Sequence, residues 1–237
     1  MTPPPLPVAI LAGGLATRLL PLTGSIPKAL LDINGEPFIA HQLRLLARSG
    51  IQRVVVCAGY LGNMIREAVS DGRGYGLRVA FSFDGPTLLG TAGALRNAAP
   101  LLGQAFFVLY GDSYLRCDYR DVQSAFEASG CMGLMTVFRN NGAWDRSNVE
   151  FSDGTIRAYD KRTLNSSMRH IDYGLGVLDR RALDLVPAGR PYDLAELYAE
   201  LLACGQLGAY EVQERFYEIG SMSGLEETRE LLAASRP

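Results

Sequence analysis

Apolar residues in the first half of the chain alternate between unbroken runs and helically spaced positions. The runs "PVAILAG" (7–13), "RVVVCAG" (53–59), "LRVAFSF" (77–83) and "AFFVLYGD" (105–112) have strand length and predict strands buried on both faces. Between them three sets recur at intervals of one helix face: Ile39, Leu43 and Leu46; Leu61, Ile65 and Val69; Ala92, Leu95, Ala99 and Leu102. Pro37 suits the first turn of the first helix and Gly50 its end. Strand–helix alternation with apolar strands predicts an α/β protein, its mostly parallel central sheet covered on both faces.

After about residue 130 the pattern changes. "MGLMTVF" (132–138) and "HIDYGLGVLD" (170–179) predict strands, and "NVEFSDGTIRAYD" alternates on either side of Asp153-Gly154, a hairpin signal. Leu194, Leu197, Tyr198 and Leu201 mark a helix capped by Asp193, "FYEIGS" (216–221) a last strand, and Ser223 with Glu226 a capping box for the closing helix. No linker is rich enough to divide the chain, so residues 1–237 read as one domain. Its half up to about 130 would bind a nucleotide, and the half from 131 would shape the other side of a cleft.

Composition narrows the function. A net charge of −2 offers no global field for a nucleic-acid polymer, although a local pocket can still take a small anion. Cys57, Cys117, Cys131 and Cys204 are scattered without a CxxC pair, and the chain has two His, which argues against zinc and for a reducing compartment. No apolar run approaches the ~18 residues of a membrane span, and "MTPPPLP" lacks the regions of a signal peptide. The expectation is a cytoplasmic protein without a membrane partner.

The stretch "LAGGLATRLLPLTGSIPKALL" (11–31) carries the candidate chemistry. It begins where a parallel strand ends, the place where α/β sheets bind ligands. Leu11, Ala12, Gly13 and Gly14 bring backbone N–H groups close to an anion there. Arg18 offers a planar fork for phosphate oxygens and Lys28 a compact charge, while Pro21 and Pro27 restrict the loop that separates them. A solvated surface loop is the plain alternative. Neither GxxxxGK[ST] nor GxGxxG is present, so the cradle is of another kind than a P-loop or a dinucleotide site.

These residues resemble a known signature. "AGGLATRLLPLTGSIPKAL" is similar to the loop GGxGTRLxPLTxxxPKxL of the sugar-1-phosphate nucleotidyltransferases, matching at Gly13, Gly14, Thr17, Arg18, Leu19, Pro21, Leu22, Thr23, Pro27 and Lys28. Ala16 stands where the family carries glycine, at a cost of about 1 kcal/mol if that backbone takes a positive φ. "LLGTAGAL" (88–95) resembles the family segment against base and sugar, "LYGDS" (109–113) the element whose Asp holds Mg²⁺, and "YDKR" (159–162) the EKP element. "HIDYGLGVL" and "YEIGSMSGL" (217–225) resemble two later family segments more loosely.

The resemblance implies a Rossmann-like α/β/α sandwich, the nucleotide-diphospho-sugar transferase fold, with a nucleotide half and a sugar half. It implies the union of an NTP with a sugar 1-phosphate, releasing pyrophosphate. Arg18 and Lys28 would be catalytic, with Leu11, Ala12, Gly13, Gly14, Thr17, Asp84, Gly90, Thr91 and Asp112 around the nucleotide. Gly93, Asp160, Lys161 and Asp172 would meet the sugar phosphate, Asp112 and Glu218 would hold Mg²⁺, and family members often pair as homodimers. GTP with a mannose- or heptose-type sugar is the leaning; a phosphocholine-type cytidylyltransferase and a non-catalytic nucleotide-sugar-binding subunit are the alternatives. No GxSxG or Cys–His signature supplies a covalent nucleophile, and none is needed. A phosphate monoester is already largely dianionic at pH 7, so catalysis calls for fixed positive charge and alignment.

Overall fold

A computed structural model describes residues 4–14, 19, 24–163 and 165–234. Strand β1 (Val8–Ala12) is followed by a hairpin of β2 (Asp32–Ile33) and β3 (Glu36–Pro37), then helix α1 (Phe38–Arg48), β4 (Arg53–Ala58), α2 (Gly62–Val69), β5 (Arg78–Phe83), α3 (Gly90–Ala98) and β6 (Ala105–Tyr110). The second half runs β7 (Ser113–Tyr114), α4 (Tyr119–Ser129), β8 (Gly133–Arg139), β9 (Val149–Ser152), β10 (Thr155–Tyr159) and β11 (His170–Asp179). It closes with α5 (Leu194–Ala203), β12 (Leu207–Val212), β13 (Tyr217–Glu218) and α6 (Met222–Ala234).

Among the described residues nine strands form one sheet. One side of it, β5-β4-β1-β6, is parallel throughout. Strand β11 then runs antiparallel to β6 and to β8, and β12 adds to β8 in parallel. Side chains alternate across the pleat, which explains the two-sided core. Val8 and Ile10 of β1 point into a cluster with α1, α2 and α4, whereas Ala9 faces a second cluster with α3 and α5. The runs of β1, β4 and β6 are therefore strands with a core on each face, whereas β5, expected to match them, is the edge strand and is only half-buried. Among the described residues no helix is long and apolar enough to cross a membrane.

Several elements differ from the sequence expectation. Helix α4 is absent from it, because polar residues dominate its exposed turns. Its signals are Val122 and Phe126 on the buried face and Asp118 as cap, whose carboxylate accepts from Arg120 N at 2.8 Å and Asp121 N at 3.3 Å. Strand β12 also escapes, since only Leu207 and Val212 at its ends are buried. The stretch 11–31 is followed directly by the β2–β3 hairpin, which the sequence reading lacks, turned by Asn34-Gly35 with φ of 56° and 88°. The strand over 216–221 shortens to β13, and the cap of α6 is Ser221, whose Oγ accepts from Gly224 N at 3.0 Å, in place of Ser223.

Removing the cap tests α4. Asp118→Ala should lower stability by about 1 kcal/mol, seen as a fall of roughly 2–4 °C in Tm for a chain of this size. An unchanged melting curve would mean that Asp118 does not cap the helix.

Candidate active site

Strands β1 and β6 lie side by side in parallel, with Leu11 opposite Tyr110. Beyond the ladder, Gly111 N donates to Leu11 O at 3.0 Å, and a Cβ on Gly111 would overlap that carbonyl. Only glycine fits this crossing. It brings Asp112, just after β6, beside the Gly13-Gly14 backbone. Gln42 of α1, 1% exposed, clamps the same turn: its Nε2 donates to Tyr110 O at 3.2 Å and to Ser113 O at 2.8 Å. Lys28 opens a short 3-10 turn and reaches across, placing Nζ 2.9 Å from Asp112 Oδ2. The side chains of this pair are 18% and 30% exposed, so they face a cavity and not the core.

That cavity, of about 260 Å³, gathers most of the predicted nucleotide residues. Leu11, Ala12, Gly13 and Gly14 form its floor with Lys28, and Asp84, Gly90, Thr91 and Asp112 line the rest. Asp84 follows β5, at the far edge of the parallel strands from β6. Its Oδ2 accepts from Leu89 N at 3.1 Å. Burial raises the Asp84 pKa, and that hydrogen bond only partly opposes it. The neighbouring Cys57 thiol is pushed up to about 12, by burial first and then by the Asp84 charge, so it stays protonated in the wall.

The start of α3, in the segment expected against base and sugar, is tied to the chain before α5. Ala92 N and Gly93 N donate to Tyr192 O at 3.0 and 3.2 Å, while Thr91 Oγ1 accepts from Leu194 N at 2.6 Å. Two first-turn donors are thus spent on the segment before α5. Gly93 lines neither this cavity nor the next. A Cβ there would stand 3.1 Å from Leu89 Cβ and 3.4 Å from Arg190 O, so its small size serves this packing.

A second cavity, about 490 Å³, adjoins the first and shares Tyr110 and Asp112 with it. Its centre is Asp172, whose side chain is 4% exposed. A bulge in β11 between Asp172 and Gly176 interrupts the pairing with β8, and Gly174 N turns back to donate to Asp172 Oδ1 at 3.1 Å. Oδ2 receives Tyr110 OH at 3.2 Å and Tyr159 OH at 3.3 Å, with Lys161 Nζ at 3.4 Å. Lys161 also donates to the Tyr110 hydroxyl at 3.1 Å. Burial alone would lower the Lys161 pKa, but the Asp172 charge raises it further, so the ammonium persists. Burial, reinforced by Asp172, holds the Tyr110 phenol well above its ordinary value and keeps it a donor.

Asp160 and Glu218 sit differently from that network. Asp160 Oδ1 accepts from Arg162 N at 2.7 Å and Thr163 N at 3.0 Å, bonds that lower its pKa, and the residue lines neither cavity. Its placement is that of a turn cap. Glu218 lines the second cavity, on a strand whose ladder sets it opposite Ser113, next to Asp112. Its carboxylate accepts from Gly220 N and, at 2.6 Å, from Ser221 Oγ. Gly220, lacking a Cβ, leaves both Glu218 Oε2 and Asp112 Oδ2 beside one backbone position. Thr17 and Arg18 lie outside the described residues. Sequence reasoning missed Gln42, Tyr110 and Asn148, whose Oδ1 accepts from Asp172 N at 3.0 Å. Gln42 and Tyr110 look like ordinary helix and strand positions, and only the fold aims them here.

Among the described residues no group of three or more ligating side chains could hold a metal. The Asp112–Glu218 pair still fits Mg²⁺, which typically takes one or two carboxylates and fills its remaining positions with phosphate and water. Lys28 already places a cation on Asp112 Oδ2.

Comparison with known proteins shows the family and the fold. A family model described as nucleotidyl transferase matches residues 8–147. Over 218 residues the chain is 30% identical to mannose-1-phosphate guanyltransferase beta-A of Xenopus laevis, covering 89% of this chain and 60% of that protein. It is 40% identical over 111 residues to an N-acetylmuramate alpha-1-phosphate uridylyltransferase of Neisseria meningitidis, covering 46% of this chain and 48% of the relative. The chain thus spans about 60% or less of the length of these relatives. A putative glucose-1-phosphate thymidylyltransferase from Bacillus anthracis, solved with sucrose, superposes with a TM-score of 0.85 at 19% identity, covering 97% of this chain and 96% of its own. It shares the fold.

A carboxylate with a raised pKa costs native stability once pH climbs above the ordinary carboxylate range, because the unfolded chain ionises it more easily. Asp84→Asn should therefore raise Tm at pH 7, and the gain should vanish as pH falls below about 4, where the unfolded carboxylate also protonates. Thermal melts at both pH values check this; a lower Tm at pH 7 would mean that Asp84 is held by favourable contacts instead.

Proposed function

We propose that this chain, which belongs to the nucleotidyl transferase family, joins a nucleoside triphosphate to a sugar 1-phosphate. A sugar-phosphate oxygen attacks the α-phosphorus, the bond to the oxygen bridging toward the β-phosphate breaks, and pyrophosphate leaves. The observation that carries this reading is the pair of adjoining cavities sharing Asp112 and Tyr110. One offers glycine backbone and Lys28 to a triphosphate; the other offers Lys161, Tyr110 and Asp172 to a phosphorylated polyol.

The nucleophile arrives as an anion, so the task is alignment of two repelling phosphates. Lys28 would leave Asp112 and steady the α-phosphate. Arg18, in the signature loop, would face the departing pyrophosphate. Lys161, fixed by Asp172 and two phenols, would hold the incoming phosphate in line. Asp112 and Glu218 would hold a Mg²⁺, whose bound charge offsets the phosphate charge. Gln42 keeps the Asp112 turn rigid through its two carbonyl contacts.

The base reading favours guanine. Asp84 presents an acceptor-only carboxylate to the nucleotide cavity, and guanine offers the adjacent donors N1–H and N2–H₂. Uracil and thymine offer one N–H flanked by two carbonyls that repel a carboxylate. The sugar cavity sets Asp112, Asp145, Asp172 and Glu218 against Arg146 and Lys161, an excess of negative charge that suits a neutral, hydroxyl-rich ring. The leaning to a manno- or heptose-type sugar rests on the guanyltransferase relative.

Pyrophosphate release from a matrix of NTPs and phosphorylated sugars, with CTP plus phosphocholine included, tests the reading. GTP with a manno-configured sugar 1-phosphate should give the highest kcat/KM. Nucleotide binding without release in any combination, or release from CTP and phosphocholine alone, would contradict it. Lys28→Met should lower kcat by about 10²–10³-fold with a smaller change in KM, the size of loss seen when one charge-stabilising donor is removed. Asp84→Asn should lower kcat/KM for GTP by about 10–100-fold, as expected for a lost charged hydrogen bond.

A further inference from the structure

The outer wall of the sugar cavity is held by residues that do not line it. The loop 140–148, between β8 and β9, is built around Asn140, which is 1% exposed. Asn140 Nδ2 donates to Asp145 O at 2.5 Å and Ser147 Oγ at 3.3 Å, while its Oδ1 accepts from Trp144 N at 3.3 Å. This bracing gives the loop one shape and sends Asp145 and Arg146 to the cavity. The same cavity is walled on another side by Phe216 and Glu218.

Arg215 joins the two walls. Its guanidinium carbon lies 4.4 Å from the ring centroid of Trp144 and 4.4 Å from that of Tyr217. Its Nε donates to Phe216 O at 3.2 Å, and its terminal nitrogen pairs with Glu227 of α6. A planar, weakly hydrated cation suits a place between two rings, and lysine would keep the charge without the plane. Trp144 also leans on Phe138, with centroids 5.7 Å apart, yet the residue is 44% exposed. Core packing therefore does little to hold the ring, and Arg215 supplies the hold.

We propose that Arg215 is a positioning residue for the sugar 1-phosphate: stacked between Trp144 and Tyr217, it keeps the 140–148 loop in register with the strand carrying Glu218. The inference rests on the sugar-phosphate reading above. Losing the stack frees the loop wall, so the cost falls on sugar-phosphate KM, while the nucleotide cavity, formed by residues 11–112, is untouched.

Trp144 is the chain's single tryptophan, so its fluorescence reports the stack without turnover. Arg215→Met and the milder Arg215→Lys, each checked for a wild-type-like circular dichroism spectrum, are compared with wild type in acrylamide quenching and in steady-state kinetics. Both variants should quench more readily than wild type. KM for the sugar 1-phosphate should rise roughly 5–20-fold in Arg215→Met and less in Arg215→Lys, with KM for NTP unchanged and kcat within about threefold, a local loss of binding. Trp144→Ala should raise the sugar KM to a similar degree, and adding Arg215→Met to it should change little more, since both remove one interaction. Unchanged quenching would show that no clamp exists. Increased quenching with an unchanged sugar KM would show that the clamp does not position the sugar. Wild-type protein that turns over no sugar phosphate would instead defeat the functional reading itself.

Discussion

The parallel pairing of β1 with β6 is the constraint on which the site depends. Two chain segments about 100 residues apart end at the same level of the sheet, and Gly111 crosses onto the Leu11 carbonyl where no side chain fits. Glycine backbone and the Asp112 carboxylate therefore meet at one point. Gln42 then fixes the turn from below, and the β13–β7 ladder carries Glu218 to its side. The sheet's buried apolar strands are the stable platform, and the polar residues of the site sit at strand ends, at the β11 bulge and in the adjoining loops, where a rigid scaffold positions chemistry.

Two carboxylates at this edge each hold a cation: Lys28 sits on Asp112 and Lys161 on Asp172. The two pairs differ in burial and in consequence. Asp172 is nearly buried and gathers two phenols, a bulge amide and the ammonium, which makes Lys161 a fixed cation. Asp112 and Lys28 face open cavity, so their pair can exchange partners when an anion and a divalent cation enter together. The first arrangement suits alignment, the second suits response to a ligand.

Much of this was legible in the residues. Long apolar runs identified the central strands because burial on both faces leaves no alternation to misread; Gly13, Gly14 and Lys28 stood out by their setting after a buried strand, and Asp112 through the family resemblance. Helix α4 and strand β12 escaped because their buried positions are few and their exposed ones polar. Asp160 lies in the segment resembling the family's EKP element, yet its own turn consumes its carboxylate. Gln42, Tyr110 and Arg215 carry no local signature at all. Each acts through a partner distant in sequence, a relation that spacing along the chain does not encode.

The central claim is that Asp112 neutralises Lys28 and keeps the place of a cation until the triphosphate arrives. Equilibrium binding of GTP without metal, measured calorimetrically for wild type and Asp112→Asn, tests it most directly. Removing the carboxylate should free Lys28 and relieve repulsion, so metal-free affinity rises several-fold even as turnover with Mg²⁺ collapses. An affinity that falls or stays the same would contradict the account.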